Sequence, residues 1–285
     1  MSETAVSRPR ALAQLSTALT ILLHLALLLV FVVRPSWQAL ALALGGYLVR
    51  MWAITTGFHR YFSHRTFKTG RVFQFILGWL GTSAMQNGPL WWASWHRHHH
   101  RFSDMAEDVH SPVQRGFWHS HMGWYLDGSH EETVLSRVPD LASQPELVFL
   151  ERHRWLPIIT HAAVCFAVAG FSGLVWGFLV STLAVLHATA LINSLAHVWG
   201  SRRYDTKDQS RNNALLAILT LGEGWHNNHH HCMTSARQGF FWWEIDVSWY
   251  VLLVLEKLGV VWDVRRPTAE RVARIALAKP LPLPA

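Results

Sequence analysis

Long apolar runs divide this chain into membrane-like and polar segments. Residues 11–33 and 37–57 are apolar, with Arg34-Pro35-Ser36 between them, and a further apolar block extends from 156 to about 195. A bilayer crossing needs about 20 residues, so that block is long enough for two crossings with a turn at 170–173. The pattern predicts an all-α integral membrane protein with four transmembrane helices, at about 11–33, 37–57, 156–171 and 174–197.

The polar segments predict a helical cap on one side of the membrane. Residues 58–155 and 198–266 form this cap, and the proline-containing end, 267–285, forms a flexible tail. Within the cap, 72–92 is moderately apolar but contains Gln86-Asn87-Gly88-Pro89. That interruption favours an interfacial or partly buried helix over another span.

A cleaved signal peptide is the alternative for the first apolar run. Arg8 and Arg10 precede it, but the run exceeds the roughly 7–15 apolar residues of a signal, and no A-x-A-like site ends it. We therefore expect a retained span, in which His24 is the one ionisable residue.

Composition supports a membrane protein and excludes several other classes. Hydrophobic residues make up 51% and charged residues only 15%, against roughly 25% charged in soluble domains. Cys165 and Cys232 are too few for a disulfide scaffold and carry no cue for reactivity. Without a C-x-x-C motif, a thiolate zinc site, an iron–sulfur cluster and c-type haem are excluded.

The cations are distributed unevenly over the predicted topology. Lys and Arg number 25 and Asp and Glu 18, which gives a formal charge of +7. Four crossings place both termini and the cap on one side, where the cations concentrate, and this side is cytoplasmic by the positive-inside rule. Topology and anionic lipid explain the excess charge, so no nucleic-acid partner is needed.

Three histidine clusters lie in the segments assigned to the cytoplasmic side. They are His59-Arg-Tyr-Phe-Ser-His64, His96-Arg-His-His99-His100 and His226-Asn-Asn-His229-His230. Residues at i, i+3 and i+4 share one helix face, so the second and third clusters each offer three imidazoles to a metal. His59 and His64 lie about 140° apart around a regular helix, and we expect them to supply one ligand to each of two metals.

The metal itself and two further polar positions stay open at this point. Imidazole suits zinc, copper, iron and nickel, although room for oxygen and a membrane location favour redox iron. Asn193 and His197 at the end of the last span either face the same site or hydrogen-bond a neighbouring helix. Arg50 inside the second span is costly there. It either snorkels to the interface or pairs with an acidic residue of the cap.

Together these motifs resemble the membrane fatty acid desaturases, specifically a bacterial branch similar to the stearoyl-CoA (Δ9) desaturases. The likeness runs from about 37 to 267, within a single domain over 1–285. The three clusters match the family's H-x-x-x-x-H and two H-x-x-H-H boxes, and Gly222-Glu-Gly-Trp225 precedes the third box as in the family. Segments 86–92 and 240–246 are similar to bacterial members in particular.

The resemblance implies a di-iron site in the cap, a bent acyl tunnel beside it, and Asn193 holding a metal-bound water. The implied ligands are His59, His64, His96, His99, His100, His197, His226, His229 and His230. Gln86, Trp92 and Thr189, with Ala190 beside them, are implied to shape the tunnel. An unactivated methylene offers no handle, so tunnel depth and curvature must set the position of reaction. His98 and His231 occupy non-ligand positions of the boxes.

Some residues depart from the family pattern and leave the substrate open. Ala190 stands in place of a bulky aromatic, Asn87 in place of a frequent Lys, and Cys232-Met233 in place of an aromatic-Pro pair. Ser94-Trp95 replaces the charged pair that animal enzymes carry near the CoA headgroup. Chain length, bond position, acyl carrier and oligomeric state are therefore not fixed.

The activity implied by the resemblance is O2-dependent desaturation of a saturated acyl chain, giving a cis double bond at Δ9, on acyl-CoA or a lipid-linked acyl group. The metal pair itself is the catalytic centre, with no separate acid or base. The chain has no flavin or nicotinamide fingerprint, so two electrons must come from a separate donor: a ferredoxin, a rubredoxin or a cytochrome b5-like protein. A bacterial inner membrane is the implied location.

Other functions fit part of the pattern. A hydroxylase or ketolase would use the same scaffold, although the context of the third box favours desaturation. A membrane metal transporter would place its site near the bilayer midplane, whereas the clustered histidines lie outside the predicted spans. A purely structural interaction protein would not explain three matching boxes.

Overall fold

The computed structural model describes residues 5–6 and 10–273, with side chains from Thr17 onward. Helices dominate these residues. The strands among them are two short antiparallel pairs, Ala5–Val6 with Thr133–Val134 and Lys68–Thr69 with Val261–Trp262. The predicted helical architecture is confirmed apart from these pairs.

The described residues form fourteen α-helices, with several stretches of non-α winding among them. In chain order they are α1 (Arg10–Ala26), α2 (Trp37–Trp52), α3 (Arg71–Thr82), α4 (Pro89–Phe102), α5 (Pro112–Arg115), α6 (Trp124–Leu126), α7 (Pro139–Ala142), α8 (Pro145–Arg152), α9 (Trp155–Ser172), α10 (Ser181–Ser194), α11 (Ala214–Leu219), α12 (His226–His231), α13 (Val247–Lys257) and α14 (Ala269–Ala273). Three stretches are π-helical: Ala53–Ser63, His119–Gly123 and Gly173–Val180. Three are 3₁₀ turns: Leu27–Phe31, Leu135–Arg137 and Leu195–His197.

Two of the described helical stretches are long and apolar enough to cross a membrane. They are Trp37–Ser63 and Trp155–His197, and Thr17–Phe31 is a shorter apolar helix. The first of the long stretches begins at Ser36, whose hydroxyl accepts a hydrogen bond from the Ala39 N–H at 3.1 Å. This start matches the predicted second span at residue 37.

The Trp155–His197 stretch folds back on itself at Gly170. Ala169 and Gly170 have non-helical backbone angles, and the φ of +57° at Gly170 is one that glycine adopts without penalty. The two arms then pack together, because Gly173 abuts the Cys165 backbone and Gly177 abuts the Cys165 side chain. The turn therefore lies at 169–170, slightly earlier than the predicted 170–173.

Arg50 is held inside the bundle of apolar helices, and both expectations for it are wrong. Its side chain is 1% exposed, so it does not snorkel to the interface. Its guanidinium donates to Thr182 Oγ1 at 2.7 Å, to Ser181 Oγ at 2.5 Å and to the Gly46 carbonyl at 2.9 Å. Hydroxyls and a carbonyl, rather than an acidic residue of the cap, satisfy it.

The helix that carries the first histidine box continues from α2 without interruption. The π-helical stretch Ala53–Ser63 follows α2 directly, so the predicted boundary between span and cap at 57/58 does not coincide with a helix end. Helix α3 packs against this stretch, because Gly57 abuts Leu77 and Gly81 abuts the Phe58 ring. This contact buries the apolar core beneath the first box.

The predicted flexible tail, 267–285, is wrong at its beginning. Helix α14 occupies Ala269–Ala273, and the Tyr204 hydroxyl donates to the Val272 carbonyl at 3.0 Å. This contact anchors α14 beside the third histidine box. Residues 274–285 lie outside the described part of the chain.

Candidate metal centre

Nine histidines converge in two adjacent groups. Within each group, one ring nitrogen from every histidine lies within 4.8 Å of those of all the others. The five-His cluster consists of His59, His64, His96, His100 and His229. The four-His cluster consists of His99, His197, His226 and His230. The structure thus brings together every histidine named as a ligand from the sequence.

Helices α4 and α12 each contribute to both clusters. On α4, His96 and His100 point to the five-His cluster and His99 to the four-His cluster, whereas on α12 His226 and His230 belong to the four-His cluster and His229 to the other. Residues at i and i+4 lie about 40° apart around a helix, and i+3 falls on the other side of i. The expectation that each box serves one metal as a three-His face is therefore wrong.

The first box uses π-helical winding to place two rings in the same cluster. The His64 N–H donates to the His59 carbonyl at 3.2 Å, an i→i+5 bond that defines a π turn. Five residues then make little more than one turn, and the two ring centroids lie 4.9 Å apart. The predicted division of His59 and His64 between two metals assumed a regular α-helix and is wrong for that reason.

The ring nitrogens face one another in a way that fits metal cations. In the five-His cluster, the Nε2 atoms of His64 and His96 lie 2.9 Å apart, and the Nε2 of His229 lies 3.0 Å from that of His59. Each such pair can either share one proton as a hydrogen bond or, when both rings carry their proton on Nδ1, direct both Nε2 lone pairs at a cation between them. Burial, reinforced by neighbouring imidazoles, holds the pKa of His96 well below its ordinary value, which keeps that ring neutral.

The four-His cluster shows the same need for a cation. The Nε2 atoms of His197 and His226 lie 3.1 Å apart. The Nε2 of His230 is buried with no hydrogen-bond partner among the described residues. Buried polar atoms rarely stay unsatisfied, so both clusters fit metal ions bound through Nε2.

Four carboxylates orient the histidine rings from behind, and sequence reasoning gave none of them this role. The Nδ1 atoms of three four-His rings donate to aspartates: His197 to Asp104 at 2.9 Å, His99 to Asp108 at 3.0 Å and His230 to Asp208 at 2.7 Å. In the five-His cluster, His59 Nδ1 contacts Glu223. Such partners fix the tautomer that leaves Nε2 free for a metal.

The charge of these aspartates is stabilised by the rings they hold. Burial alone would raise the pKa of Asp104, but its hydrogen bond to His197 and contacts with Ser111 and Gln209 lower it to about 2. The same balance, led on the lowering side by His99, depresses the pKa of Asp108. Asp104 and Asp108 follow His100 by four and eight residues, so their nearness to the second box was visible in the sequence, but their partners were not.

The third box depends on two glycines and a buried ion-pair network. A Cβ at Gly222 would collide with Asp246 and Arg60, and one at Gly224 would collide with the α11 backbone. Arg60 donates to Asp246 Oδ1 at 2.9 Å and pairs with Glu223 at 3.2 Å. Because Glu223 also contacts His59, this network ties the first box to the third.

Two cavities adjoin the clusters and share part of their lining. The first cavity is lined by Gln86, Trp91, Trp92, Trp95, His96, His110, His121, Met122, Trp124, Tyr125, Leu186, Thr189, Ala190 and Asn193. The second is lined by Met51, Ile54, Thr55, His59, Trp92, His96, His99, Thr189, Ile192, Asn193, Thr220, Glu223 and His226. All four residues assigned to the tunnel line the first cavity, and Asn193 lines both.

Hydrogen bonds fix the wall where the cavities meet. Gln86 Nε2 donates to Thr189 Oγ1 at 3.0 Å, and Trp92 Nε1 lies 3.4 Å from Gln86 Oε1. Trp92 also stacks on His96, with ring centroids 4.8 Å apart. The residues named for the tunnel bend therefore form one connected element against the five-His cluster.

The remaining box histidines and departures lie elsewhere. His98 Nε2 donates to the Glu107 carbonyl at 2.9 Å and His231 Nε2 to that of Arg271 at 3.0 Å, so neither ring joins a cluster. Asn87 accepts a hydrogen bond from Arg154. Ser94 is buried and donates to the Trp91 carbonyl at 2.8 Å, and Cys232 is buried.

Comparison with known proteins gives a consistent result. Residues 35–252 match the fatty acid desaturase family. The chain is 40% identical over 247 residues to Delta-9 acyl-lipid desaturase 1 of Arabidopsis thaliana, covering 86% of this chain and 81% of that protein. It is 41% identical over 237 residues to acyl-CoA 5-desaturase AL21 of Anemone leveillei, covering 82% and 74%.

A third relative carries a different regiochemistry in its name. The chain is 40% identical over 248 residues to the chloroplastic palmitoyl-monogalactosyldiacylglycerol delta-7 desaturase of Arabidopsis thaliana, covering 85% of this chain and 66% of that protein. All three relatives are named as desaturases of lipid or acyl-CoA, which are oxidoreductases. Two clusters of facing imidazoles beside an apolar cavity agree with that chemistry, and the chain belongs to the fatty acid desaturase family.

Proposed function

We propose that this protein is an O2-dependent membrane desaturase that introduces a cis double bond at Δ9 into a saturated fatty acyl chain. The observation that carries the proposal is the pair of buried histidine clusters facing two cavities whose shared lining includes Trp92, Thr189 and Asn193. An acyl chain running through both cavities would pass directly beside the metal-binding nitrogens.

The proposed cofactor is a pair of iron ions. The nine histidines of the two clusters would hold them, and Asn193 would hold a metal-bound water. When bound, the iron pair supplies the O2-activating oxidant that removes hydrogen from the acyl chain. The aspartates behind His99, His197 and His230 keep Nε2 free for the metal.

The chain's own residues would position the substrate. The second cavity has an apolar wall that includes Met51, Ile54 and Ile192, which suits the methyl end of an acyl chain. The first cavity opens among tryptophans of the cap, which suits the carboxyl end. The hydrogen-bonded element Trp92–Gln86–Thr189 lies between them and would fix the bend, and Ala190 would leave extra room beside it.

Four transmembrane crossings are part of the proposal, with the histidine clusters on the cytoplasmic side. Trp155–His197 has 43 residues, about 65 Å as a straight helix, which is twice a bilayer core. Its fold-back at Gly170 supports two crossings, and Thr17–Phe31 supports a first span. The cations on the cap side support the cytoplasmic assignment.

The acyl carrier, the electron donor and the branch of the family complete the proposal. Relatives named for acyl-lipid and for acyl-CoA substrates are equally similar, so either carrier fits. We propose a separate electron donor, a ferredoxin, rubredoxin or cytochrome b5-like protein. The likeness of 86–92 and 240–246 to bacterial members supports the bacterial stearoyl-CoA-like branch and an inner-membrane location, although the three relatives above are plant proteins.

Product analysis tests the proposal. The protein should be expressed in a host lacking Δ9 products, with a working donor and confirmed iron, and its fatty acids analysed by mass spectrometry with double-bond location. A new Δ9 alkene is expected. An alkene at Δ5 or Δ7 would overturn the position only, an alcohol or ketone would assign a hydroxylase or ketolase, and no new product would overturn the proposed activity.

A further inference from the structure

Three histidines outside the metal clusters form a continuous hydrogen-bonded chain between α1 and the first cavity. His24 Nε2 lies 3.0 Å from His187 Nε2, and His187 Nδ1 lies 3.1 Å from His121 Nε2. His24 belongs to α1, His187 to α10 and His121 to the π-helical turn His119–Gly123. Ionisable residues within apolar helices are costly and are functional by default.

Both ends of this chain are also hydrogen-bonded. His24 Nδ1 lies 2.7 Å from the Thr20 carbonyl, which can only accept, so this nitrogen carries a proton. At the other end, His121 Nδ1 lies 3.0 Å from Ser194 Oγ. The Ser194 hydroxyl also lies 2.8 Å from the Ala190 carbonyl, so its single proton has two acceptors to choose between.

These constraints permit two fully satisfied proton arrangements. In the neutral arrangement, Ser194 donates to His121, His121 to His187, and His187 to His24. With one added proton every bond reverses: His24 donates to His187, His187 to His121, and His121 to Ser194, whose own proton turns to the Ala190 carbonyl. In both arrangements His24 Nδ1 donates to Thr20, and each ring nitrogen keeps a partner.

Apolar side chains and an aromatic ring surround this histidine chain. Leu23, Met122 and Leu186 pack in the apolar cluster around it, and Phe117 stacks on His121. No carboxylate forms an ion pair with His24, His121 or His187 in the part of the chain that the structure describes. His121 nevertheless lines the first cavity, together with Asn193.

We propose that His24, His187 and His121 form a proton reservoir that delivers one proton to the first cavity in each turnover. This inference rests on the proposed function. Desaturation removes two hydrogens from the acyl chain and reduces one O2 to two waters, so two electrons must come from the donor and two protons from solvent. An acyl chain filling the cavity excludes the water that would otherwise bring those protons.

Each delivery balances within the chain. The Nδ1 proton of His121 leaves its hydrogen bond to Ser194 for a water in the first cavity, which His121 lines. His121 takes a proton on Nε2 from His187, and His187 takes one from His24. Ser194 then turns its hydroxyl from Ala190 to His121, which restores the neutral arrangement. The first cavity is partly open to the outside, so the reservoir reloads from water there once the product has left.

The test compares variants of the full-length, iron-loaded protein with reduced donor and bound acyl substrate. His187→Asn removes the middle link, because an amide can hydrogen-bond but cannot carry a proton onward. We expect full iron content and a rate of alkene formation lowered by about 100-fold, the low end of what positioned proton-transfer groups contribute. We also expect release of peroxide and a changed solvent isotope effect. Added imidazole should restore part of the rate in His187→Ala.

His161→Asn is the matched control, since this histidine contacts Cys165 Sγ at 3.8 Å and the Phe178 ring, with ring centroids 5.7 Å apart, but takes no part in the histidine chain. It should leave rate and coupling unchanged. His24→Asn is the second variant and decides the matter if His187→Asn loses iron. Unchanged rate, peroxide release and isotope effect in His24→Asn, or in an iron-replete His187→Asn, would overturn the reservoir alone. No alkene from the iron-loaded wild type would overturn the proposed function and the reservoir with it.

Discussion

The two histidine clusters lie side by side but are built on different electrostatic principles. Three of the four rings in the four-His cluster are backed by aspartates, whereas in the five-His cluster a carboxylate contacts only His59 among the described rings. That carboxylate, Glu223, is shared with the cation Arg60. Carboxylates strengthen histidine ligands and add negative charge. The four-His cluster therefore attracts a cation through charge, and the five-His cluster compensates with a fifth imidazole.

Removing a ligand from the four-His cluster should have the largest effect and should distinguish the two clusters most clearly. We expect His99→Ala to lose that metal and all desaturase activity while the five-His metal is retained, because α4 would still present His96 and His100. Metal content and Mössbauer spectra of the protein loaded with iron would measure this. His98→Ala is the control on the same helix, since its ring lies outside both clusters. Loss of both metals from His99→Ala would show that the clusters do not bind independently.

The ion-pair network beneath the five-His cluster should have the next largest effect. Arg60→Met leaves Glu223 and Asp246 buried without their cation, and breaking a buried pair costs about 3–5 kcal/mol. The free energy of unfolding in detergent, measured with denaturant, would report this loss. Arg71→Met is the control, because Arg71 pairs with Glu146 at the surface, where solvent screens the pair and its loss should change stability little. Similar losses from both variants would contradict the assignment.

A single backing aspartate should have a smaller and local effect. We expect Asp208→Asn to weaken metal binding at the four-His cluster by about 10–100-fold, with affinity at the five-His cluster unchanged. Metal titration resolved by site would measure both affinities. Asp205→Asn, an exposed neighbour, should change neither. Equal weakening at both clusters would show that Asp208 does not act on the four-His cluster in particular.

Acid should destabilise the metal-free protein gradually. Burial holds the pKa of His96, His100 and His229 well below its ordinary value, so below about pH 6.5 the unfolded chain binds protons that the folded chain does not. The free energy of unfolding should then fall by up to about 1.4 kcal/mol per ring for each pH unit. Thermal unfolding between pH 7.5 and 5.5 would measure it, with the metal-loaded protein as the less sensitive control. A metal-free protein equally stable at both pH values would contradict the expected protonation of these histidines in the unfolded chain.

The convergence of the histidines could be predicted from the sequence because it depends on short-range spacing. Neighbouring turns of α4 and α12 carry the ligand pairs, and the resemblance added His197 from a distant segment. Which ring joins which cluster could not be predicted, because residues at i+3 and i+4 both lie on the same broad helix face as residue i. Only the packing of four separate segments separates His99 from His96 and His100.

Long-range polar partners were the other part hidden from the sequence. Asp208 lies 22 residues before His230, and Asp104 lies 93 residues before His197, so no local pattern links them. The partners of Arg50 could not be predicted for a similar reason. The sequence predicted an acidic partner or a position at the interface. Ser181 and Thr182 become the partners of Arg50 only because α10 packs against α2. The fold-back at Gly170, by contrast, was almost located, because glycine marks it locally.

The π-helical winding of Ala53–Ser63 means that the spacing of the two histidines in the first box must match the number of residues per helical turn. With i→i+5 bonding, four intervening residues return the chain to the same side, as three would in an α-helix. Deleting one residue between His59 and His64 would be compensated if the segment changed from π-helical to α-helical winding, with i→i+4 instead of i→i+5 hydrogen bonds. Inserting one would leave no regular helix able to bring both rings to one ion.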